Sequence, residues 1–452
     1  MGAFSAKMIN VLFIAYHFPP IGGAGVQRTI KFARYLPDLD YMPVIVTGPG
    51  STDGRWTPLD EDLLNQIPPG VRIYRTEGYI LHESANQVLK GLKRLFCLSG
   101  NFSKWWISAA TRAGEKAIAE QKIGLIYASM SPFESAVIAG YLSRKFGIPW
   151  VADLRDPWAL DEMQVYYSAL HRFFHLKKMY SSLLSASTIV MNTPEAASAM
   201  KRTFRDSPEK EIVAIPNGFD MEDFSETVHS RTDNKFRIVH SGYLHTEMGL
   251  DLERKRRFLE ALGGIDKGIQ IYTRSHIVLL KSVENWLKSR PDALNDLEIY
   301  FVGVVTDTDV AIAKKSLASK FINFTGYITH AESVNLVRTA DLLFLPMHNL
   351  QSGHRSTIVP GKLYEYMASG RPILGAVPDG DAKDYLLASK TALICDPDNP
   401  EAMREILDKV FDAWKHNESL TTPDFDFIAK FERMVLTKRL STVFDYVLNH
   451  GA

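Results

Sequence analysis

Short apolar runs rich in β-branched residues, bounded by turn residues, alternate along the chain with longer stretches whose apolar positions recur every three or four residues. Apolar runs of that length suit strands buried on both faces, and the longer spacing suits one face of a helix. The alternation therefore predicts parallel sheets flanked by helices. In the first half the strands fall at 11–16, 43–47, 71–75, 125–128, 150–153 and 188–192, with helices at 26–36, 109–121 and 132–146. The pattern restarts at Phe236, with strands at 237–241, 297–302, 322–325, 341–346, 372–375 and 391–394. Helices near 254–262, 307–319, 330–338, 360–369, 381–388 and 400–416 lie between and after them. Ile215-Pro216-Asn217-Gly218 opens a polar stretch running to Asn234, which reads as a hinge. The expectation is an α/β protein of two doubly wound domains, 8–222 and 235–430, facing each other across a cleft. Ligands in such sheets bind beyond the carboxyl ends of the strands.

Composition narrows the class. At 452 residues and 46% hydrophobic content the chain can bury two cores. A formal net charge of zero speaks against a nucleic-acid partner gripped by a global positive field. Cys97 and Cys395 offer neither a disulfide framework nor metal-ligand spacing, which fits a reducing cytoplasm. The apolar segment 8–17 ends in Phe18-Pro19-Pro20 and glycines rather than a small-residue cleavage site, so it reads as a first strand. Residues 1–7 read as a leader of no structural weight, and position 6 lacks the Ser or Thr of a myristoylation signal. No apolar run nears the ~20 residues of a spanning helix.

The chemistry concentrates in 357–374. Pro360 suits a helix start, Gly370 its end, and 371–374 the next strand, so the loop ending at Val359 lies over a helix N-terminus that attracts phosphate. Lys362 and Glu365, at i and i+3, share a face, placing an ammonium suited to a diphosphate beside a carboxylate suited to a vicinal diol such as that of ribose. Taken alone, the pair reads first as a surface ion pair on an ordinary α/β helix, and the rest of the chain reverses that reading. Gly22 and Gly23 follow the first strand, where they allow close backbone approach to phosphate or form a tight turn. Asp153, Arg155 and Asp156 follow another strand, and His17 lies just past the first. His354 and Arg355 flank the signature loop, and Ser356 and Thr357 supply amides in it. Basic groups are available to neutralise the phosphates, so neither metal nor cofactor is expected. The stretch 88–96 followed by Lys104-Trp105-Trp106 mixes cations with large apolar groups; it suits an anionic membrane surface or an ordinary amphipathic helix.

The segments 16–25, 215–220, His240-Ser241-Gly242-Tyr243 and Pro360-Gly361-Lys362-Leu363-Tyr364-Glu365, in this order, together resemble the GT-B glycosyltransferases of family four. The resemblance covers nearly the whole chain. It implies two facing Rossmann-like domains, mostly retaining sugar transfer, a nucleotide-sugar donor held by the second domain, a saccharide or lipid-linked saccharide acceptor held by the first, and a final segment 431–449 that crosses back to the first. Glu365 matches the family's ribose-binding glutamate. The first glutamate of the family's pair is replaced by Thr357, a departure that resembles a polysaccharide-assembly subgroup. On this resemblance Asp153, Asp156 and Lys362 are the catalytic candidates. Gly22, Gly23, Gly242, Arg254, Lys255, Arg355, Ser356, Thr357, Lys362 and Glu365 are the donor candidates, and His17 and Arg155 face the acceptor. The Arg and Lys that the family places after the first strand of its second domain are sought in the basic cluster 254–257, and the stretch 264–296 has no assigned role. A nucleotide-sugar epimerase and a catalytically silent nucleotide-sugar-binding module are the rival readings.

Overall fold

Strand alternation sorts the first unit into two apolar layers. The computed structural model describes residues 8–51, 58–78, 100–225 and 231–450; the stretch 88–96, Cys97 and residues 1–7 lie outside them. Strands β1 (Ile9–Ile14), β2 (Tyr41–Thr47), β3 (Arg72–Arg75), β4 (Ile123–Met130), β5 (Trp150–Leu154), β6 (Thr188–Met191) and β7 (Glu211–Ala214) form one parallel sheet in the order β3-β2-β1-β4-β5-β6-β7. Leu12, Ile126 and Ala152 face one core with Trp106 and Trp150. Val11, Phe13, Leu125 and Val151 face the other, where Phe444 of the last helix, Arg433–His450, packs. Tyr41 in β2 donates to Asp445 of that helix at 2.6 Å. Helix α1 (Ala24–Tyr35) leaves the carboxyl end of β1. β7 is absent from the sequence expectation because it is a four-residue edge strand in which only Ile212 is fully buried, so it shows little apolar contrast.

The second unit repeats the design. β8 (Phe236–Ser241), β9 (Leu297–Val302), β10 (Ile322–Gly326), β11 (Leu342–Pro346), β12 (Ile373–Ala376) and β13 (Ala392–Cys395) are parallel, in the order β10-β9-β8-β11-β12-β13. Ile238, Ile299 and Phe344 point to one core, and Val239, Leu343 and Ile373 to the other. Helix α2 (Thr246–Ala261) begins at Thr246 rather than at 254, because Gly249 and several polar residues dilute its apolar period. That glycine is required: a Cβ there would lie 2.4 Å from the backbone N and Cα of Tyr272. The stretch 264–296 is structural in part: its helix α3 (Ile277–Ser289) buries Trp286 against Phe236 and Phe411. Helix α4 (Lys362–Ser369) ends at Gly370 in the left-handed region, φ 66°.

By internal contacts the chain divides into Met1–Asn217 with Arg433–Ala452, and Gly218–Glu432. Each unit is a doubly wound Rossmann-like sheet. Among the described residues no helix is long and apolar enough to cross a membrane.

Candidate functional site

In the second unit the sheet order reverses direction at β8, and the loops beyond the carboxyl ends of β8, β9 and β11 converge there. Helix α4 is tied to the end of β8 by two residues on one face. The Tyr366 hydroxyl accepts the Ser241 N–H at 2.7 Å, and Lys362 Nζ lies 3.1 Å from His240 Nε2. His240 is 2% exposed, and its Nδ1 lies 3.0 Å from the Phe344 carbonyl. A carbonyl only accepts, so Nδ1 carries the hydrogen and Nε2 accepts from the amine. Burial first, then the Lys362 charge, holds the imidazole well below its ordinary range, so the ring is neutral. Gly242 has φ +100°, and a Cβ there would lie 2.9 Å from Lys362 Nζ. The glycine is what lets the amine lie against the backbone.

Burial, then the Arg274 charge, pushes Lys362 down to about 7, and the nearby Glu365 carboxylate only partly opposes this. Arg274 follows the 3-10 turn Ile271–Thr273, and its position is built from tertiary contacts. The Gly249 contact seats that turn on α2, Thr273 Oγ1 donates to the Met347 carbonyl at 2.9 Å, and the Arg274 carbonyl accepts the His245 N–H at 3.0 Å. Gln270 and Asn349 exchange backbone hydrogen bonds of 2.9 and 3.1 Å beside it. His245 is driven down to about 2 by burial, with Arg274 and Lys362 adding to the effect. Sequence reasoning missed Arg274 and His245. The only local signal is a cation closing a short turn, which nothing distinguishes from other loop cations.

The remaining donor candidates divide. Ser356 is buried, its N–H donates to the Asp379 carbonyl at 2.8 Å, and its hydroxyl accepts the Ile358 N–H at 3.2 Å. Its polar groups therefore shape the loop instead of presenting an amide to a ligand. Gly380 presses on it closely, since a Cβ there would lie 2.8 Å from the Ser356 carbonyl oxygen. Thr357 follows in the same loop and is partly buried. Arg355 pairs with Asp384 at 2.5 Å on the surface. Arg254 and Lys255 lie on the exposed face of α2, Lys255 pairing with Asp251 at 2.7 Å. They are a solvated helix face, whereas the cation whose charge reaches Lys362 is Arg274.

In the first unit Gly23 precedes α1 with φ 86°, a conformation that favours glycine, and the Gly22 N–H donates to the Pro58 carbonyl at 2.7 Å. His17 stacks edge-on to Tyr16, and burial with the Arg155 charge lowers it to about 4. Arg155 reaches over the first turn of α1, where a Cβ on Gly25 would lie 2.6 Å from its Nη1. It also donates to Ser131 Oγ at 3.2 Å, and its carbonyl accepts from Asn192 at 2.5 Å. Asp156 is exposed. Asp153, expected to present an oxygen to a ligand, is instead enclosed: it accepts Arg28 Nε and Nη2 at 2.8 and 2.7 Å and the Tyr127 hydroxyl at 2.5 Å. Arg28 Nη1 continues to the Pro216 carbonyl at 2.9 Å, so this buried ion pair anchors the chain where it leaves the first unit. His17, Arg155 and Asp156 thus gather beyond β1 and β5, while Asp153 lies beneath them as structure.

Among the described residues no group of three or more His, Cys, Asp or Glu side chains is disposed to hold a metal ion. Residues 267–412 match the family model described as Glycosyl transferases group 1, a span that includes Arg274, Lys362 and Glu365. No curated protein matches the chain in sequence. Among solved structures it is similar to Anabaena Alr3699/HepE in complex with UDP-glucose, with a TM-score of 0.61 and 14% identity over 97% of this chain and 100% of that one. It is also similar to the α,α-trehalose 6-phosphate synthase of Burkholderia multivorans, with a TM-score of 0.60 and 10% identity over 99% and 100%. A Listeria monocytogenes protein assigned as a UDP-N-acetylglucosamine 2-epimerase gives a TM-score of 0.54 and 11% identity over 97% and 96%. At these identities the likeness is one of fold.

Proposed function

We propose that this protein is a retaining glycosyltransferase that moves a sugar from a nucleotide-diphosphate sugar to a hydroxyl of a saccharide or lipid-linked saccharide, in the cytoplasm, in cell-surface polysaccharide or glycolipid assembly. The observation that carries the reading is the second unit's cluster of Lys362, Arg274 and Glu365, brought together beside Gly242 at the carboxyl end of β8. Two cations suit a diphosphate and the carboxylate suits a ribose diol. The match of residues 267–412 to a glycosyltransferase family model supports it. So does the fold, shared with a protein solved with UDP-glucose.

In this reading Lys362 and Arg274 stabilise the charge that builds on the diphosphate as its bond to the sugar breaks. The leaving oxygen then accepts the proton of the incoming hydroxyl on the same face, and the new glycosidic bond keeps the donor's configuration. Removing one such preorganised donor typically costs about 3 kcal/mol of transition-state stabilisation. The cations neutralise the diphosphate, so the proposal needs neither metal nor cofactor. His17, Arg155 and Asp156 are the groups proposed for the acceptor, with Asp153 holding Arg28 and the chain at Pro216.

Thermal-shift screening against a panel of nucleotide sugars, followed by donor hydrolysis on the hits, tests the reading. A stabilising nucleotide sugar that is slowly hydrolysed to nucleoside diphosphate supports it. Conversion to an isomeric nucleotide sugar would favour an epimerase, and binding without any turnover, even with acceptors supplied, would favour a silent binding module.

A further inference from the structure

We propose that His240 is a positioning residue for Lys362, holding its amine on the imidazole lone pair, and that the pair couples diphosphate capture to uptake of one proton from solvent. This rests on the nucleotide-sugar reading above, and it adds a protonation step and a residue to it.

The geometry sets both parts. His240 is pinned through Nδ1 to the Phe344 carbonyl, so its Nε2 lone pair faces Lys362 Nζ at 3.1 Å. An amine and an ammonium both donate hydrogen bonds, so this contact survives either protonation state and keeps Nζ against Gly242. The groups around Nζ disfavour charge. Arg274 stands on the 3-10 turn, neutral His245 lies beyond β8 with His348 beside it, and Gly242, itself 3.4 Å from the Cβ position of Gly303, closes the backbone side. From its own helix the amine faces the Glu365 carboxylate, whose charge favours the ammonium. His276 adds a further repulsive contribution at His240. The acceptor given to Nζ is thus a ring nitrogen where a buried ammonium would ordinarily have a carboxylate. A diphosphate beside Nζ adds its negative charge to that of Glu365 and favours the ammonium. The balance is simple: a solvent or buffer acid gives one proton to Nζ, its own bond to that proton breaking as the new N–H bond forms.

Calorimetry of UDP, and separately of inorganic pyrophosphate, binding to the whole chain in two buffers of different ionisation enthalpy tests this. The expected result is uptake of most of one proton near pH 8 and little near pH 6, with affinity falling at least about tenfold between about pH 6.5 and 8.5. Lys362→Arg, charged throughout, should bind without that uptake. His240→Leu should move the midpoint of the affinity-against-pH curve to lower pH, whereas a merely structural role would scale affinity equally at every pH. His240→Gln, whose amide oxygen can accept, should bring the midpoint back. If UDP binds and the wild type takes up no more protons than Lys362→Arg, this inference falls and the nucleotide reading stands. Should Lys362→Arg fail to fold, a His240→Leu curve parallel to the wild type overturns it equally. Uptake with pyrophosphate but no binding of UDP or any other nucleotide would keep the proton step and remove the nucleotide. If neither ligand binds, both fall.

Discussion

Replacing Lys362 with methionine should make the ligand-free protein more stable while removing its grip on diphosphate. The amine sits at about 7 in the folded protein against an ordinary 10.5, a displacement caused first by burial and then by Arg274. The sign follows from which state binds the proton more tightly. Below about pH 7 the lysine is charged in both states and the folded state bears the full cost of holding the charge. Between about pH 7 and 10.5 the folded lysine is neutral while the unfolded one stays charged, so stability rises with pH across that window. At 1.36 kcal/mol per unit, discounted because the side chain is only partly buried, the cost at neutral pH is about 2–4 kcal/mol. Methionine keeps the helix propensity and most of the volume and removes the charge. Thermal unfolding in phosphate-free buffer should therefore show the variant melting roughly 5–10 °C higher near pH 6.5, with the gap narrowing by about 1–2 kcal/mol by pH 9. A variant no more stable than wild type at pH 6.5, or a gap constant with pH, would refute the reasoning.

Four further outcomes follow from the site. Glu365→Ala should weaken nucleotide-sugar binding by about 1.5–3 kcal/mol in calorimetry with the fold intact; unaltered affinity would remove the ribose assignment. Gly242→Ala forces a Cβ to 2.9 Å from Lys362 Nζ at a φ of +100°, so UDP affinity should fall about tenfold from strain and displacement; full affinity would show that the amine need not lie there. Asp153→Asn should cost about 3–5 kcal/mol of stability by leaving Arg28 buried without its counter-charge, measured by denaturant unfolding; lost turnover at full stability would return Asp153 to the chemistry. In steady-state kinetics Lys362→Met should depress kcat by more than it weakens nucleoside diphosphate binding, and equal losses would make the lysine a plain affinity contact.

The two sheets could be read from the chain because their inner strands are buried on both faces, and such strands appear as continuous apolar runs. What stayed hidden was decided by contact across the fold. β7 is an edge strand in which only Ile212 is fully buried, and α2 loses its period to Gly249, whose purpose appears only once Tyr272 is seen against it. The same holds at the site. Lys362 and Glu365 share one turn of a helix, so their proximity is local information. Arg274 arrives through the Gly249 contact and the Thr273–Met347 hydrogen bond, and no spacing along the chain announces it. Asp153 illustrates the converse: at the end of a strand it reads as a ligand-facing acid, and only the fold brings Arg28, 125 residues away, onto its two oxygens. Arg254, Lys255 and Arg257 show that a dense run of cations can be a solvated helix face while the cation near Lys362 comes from a separate turn of the chain.

The most direct test of sugar transfer is to incubate the protein with anomerically defined nucleotide sugars and follow the first products by proton NMR, with nucleoside diphosphate release measured in parallel. The account predicts that at least one donor yields nucleoside diphosphate and a sugar, free or transferred, that first appears with the donor's own anomeric configuration, and that Lys362→Met and Glu365→Ala suppress both signals. First appearance of the inverted anomer, conversion to an isomeric nucleotide sugar with no nucleoside diphosphate released, or release that survives both substitutions would contradict it.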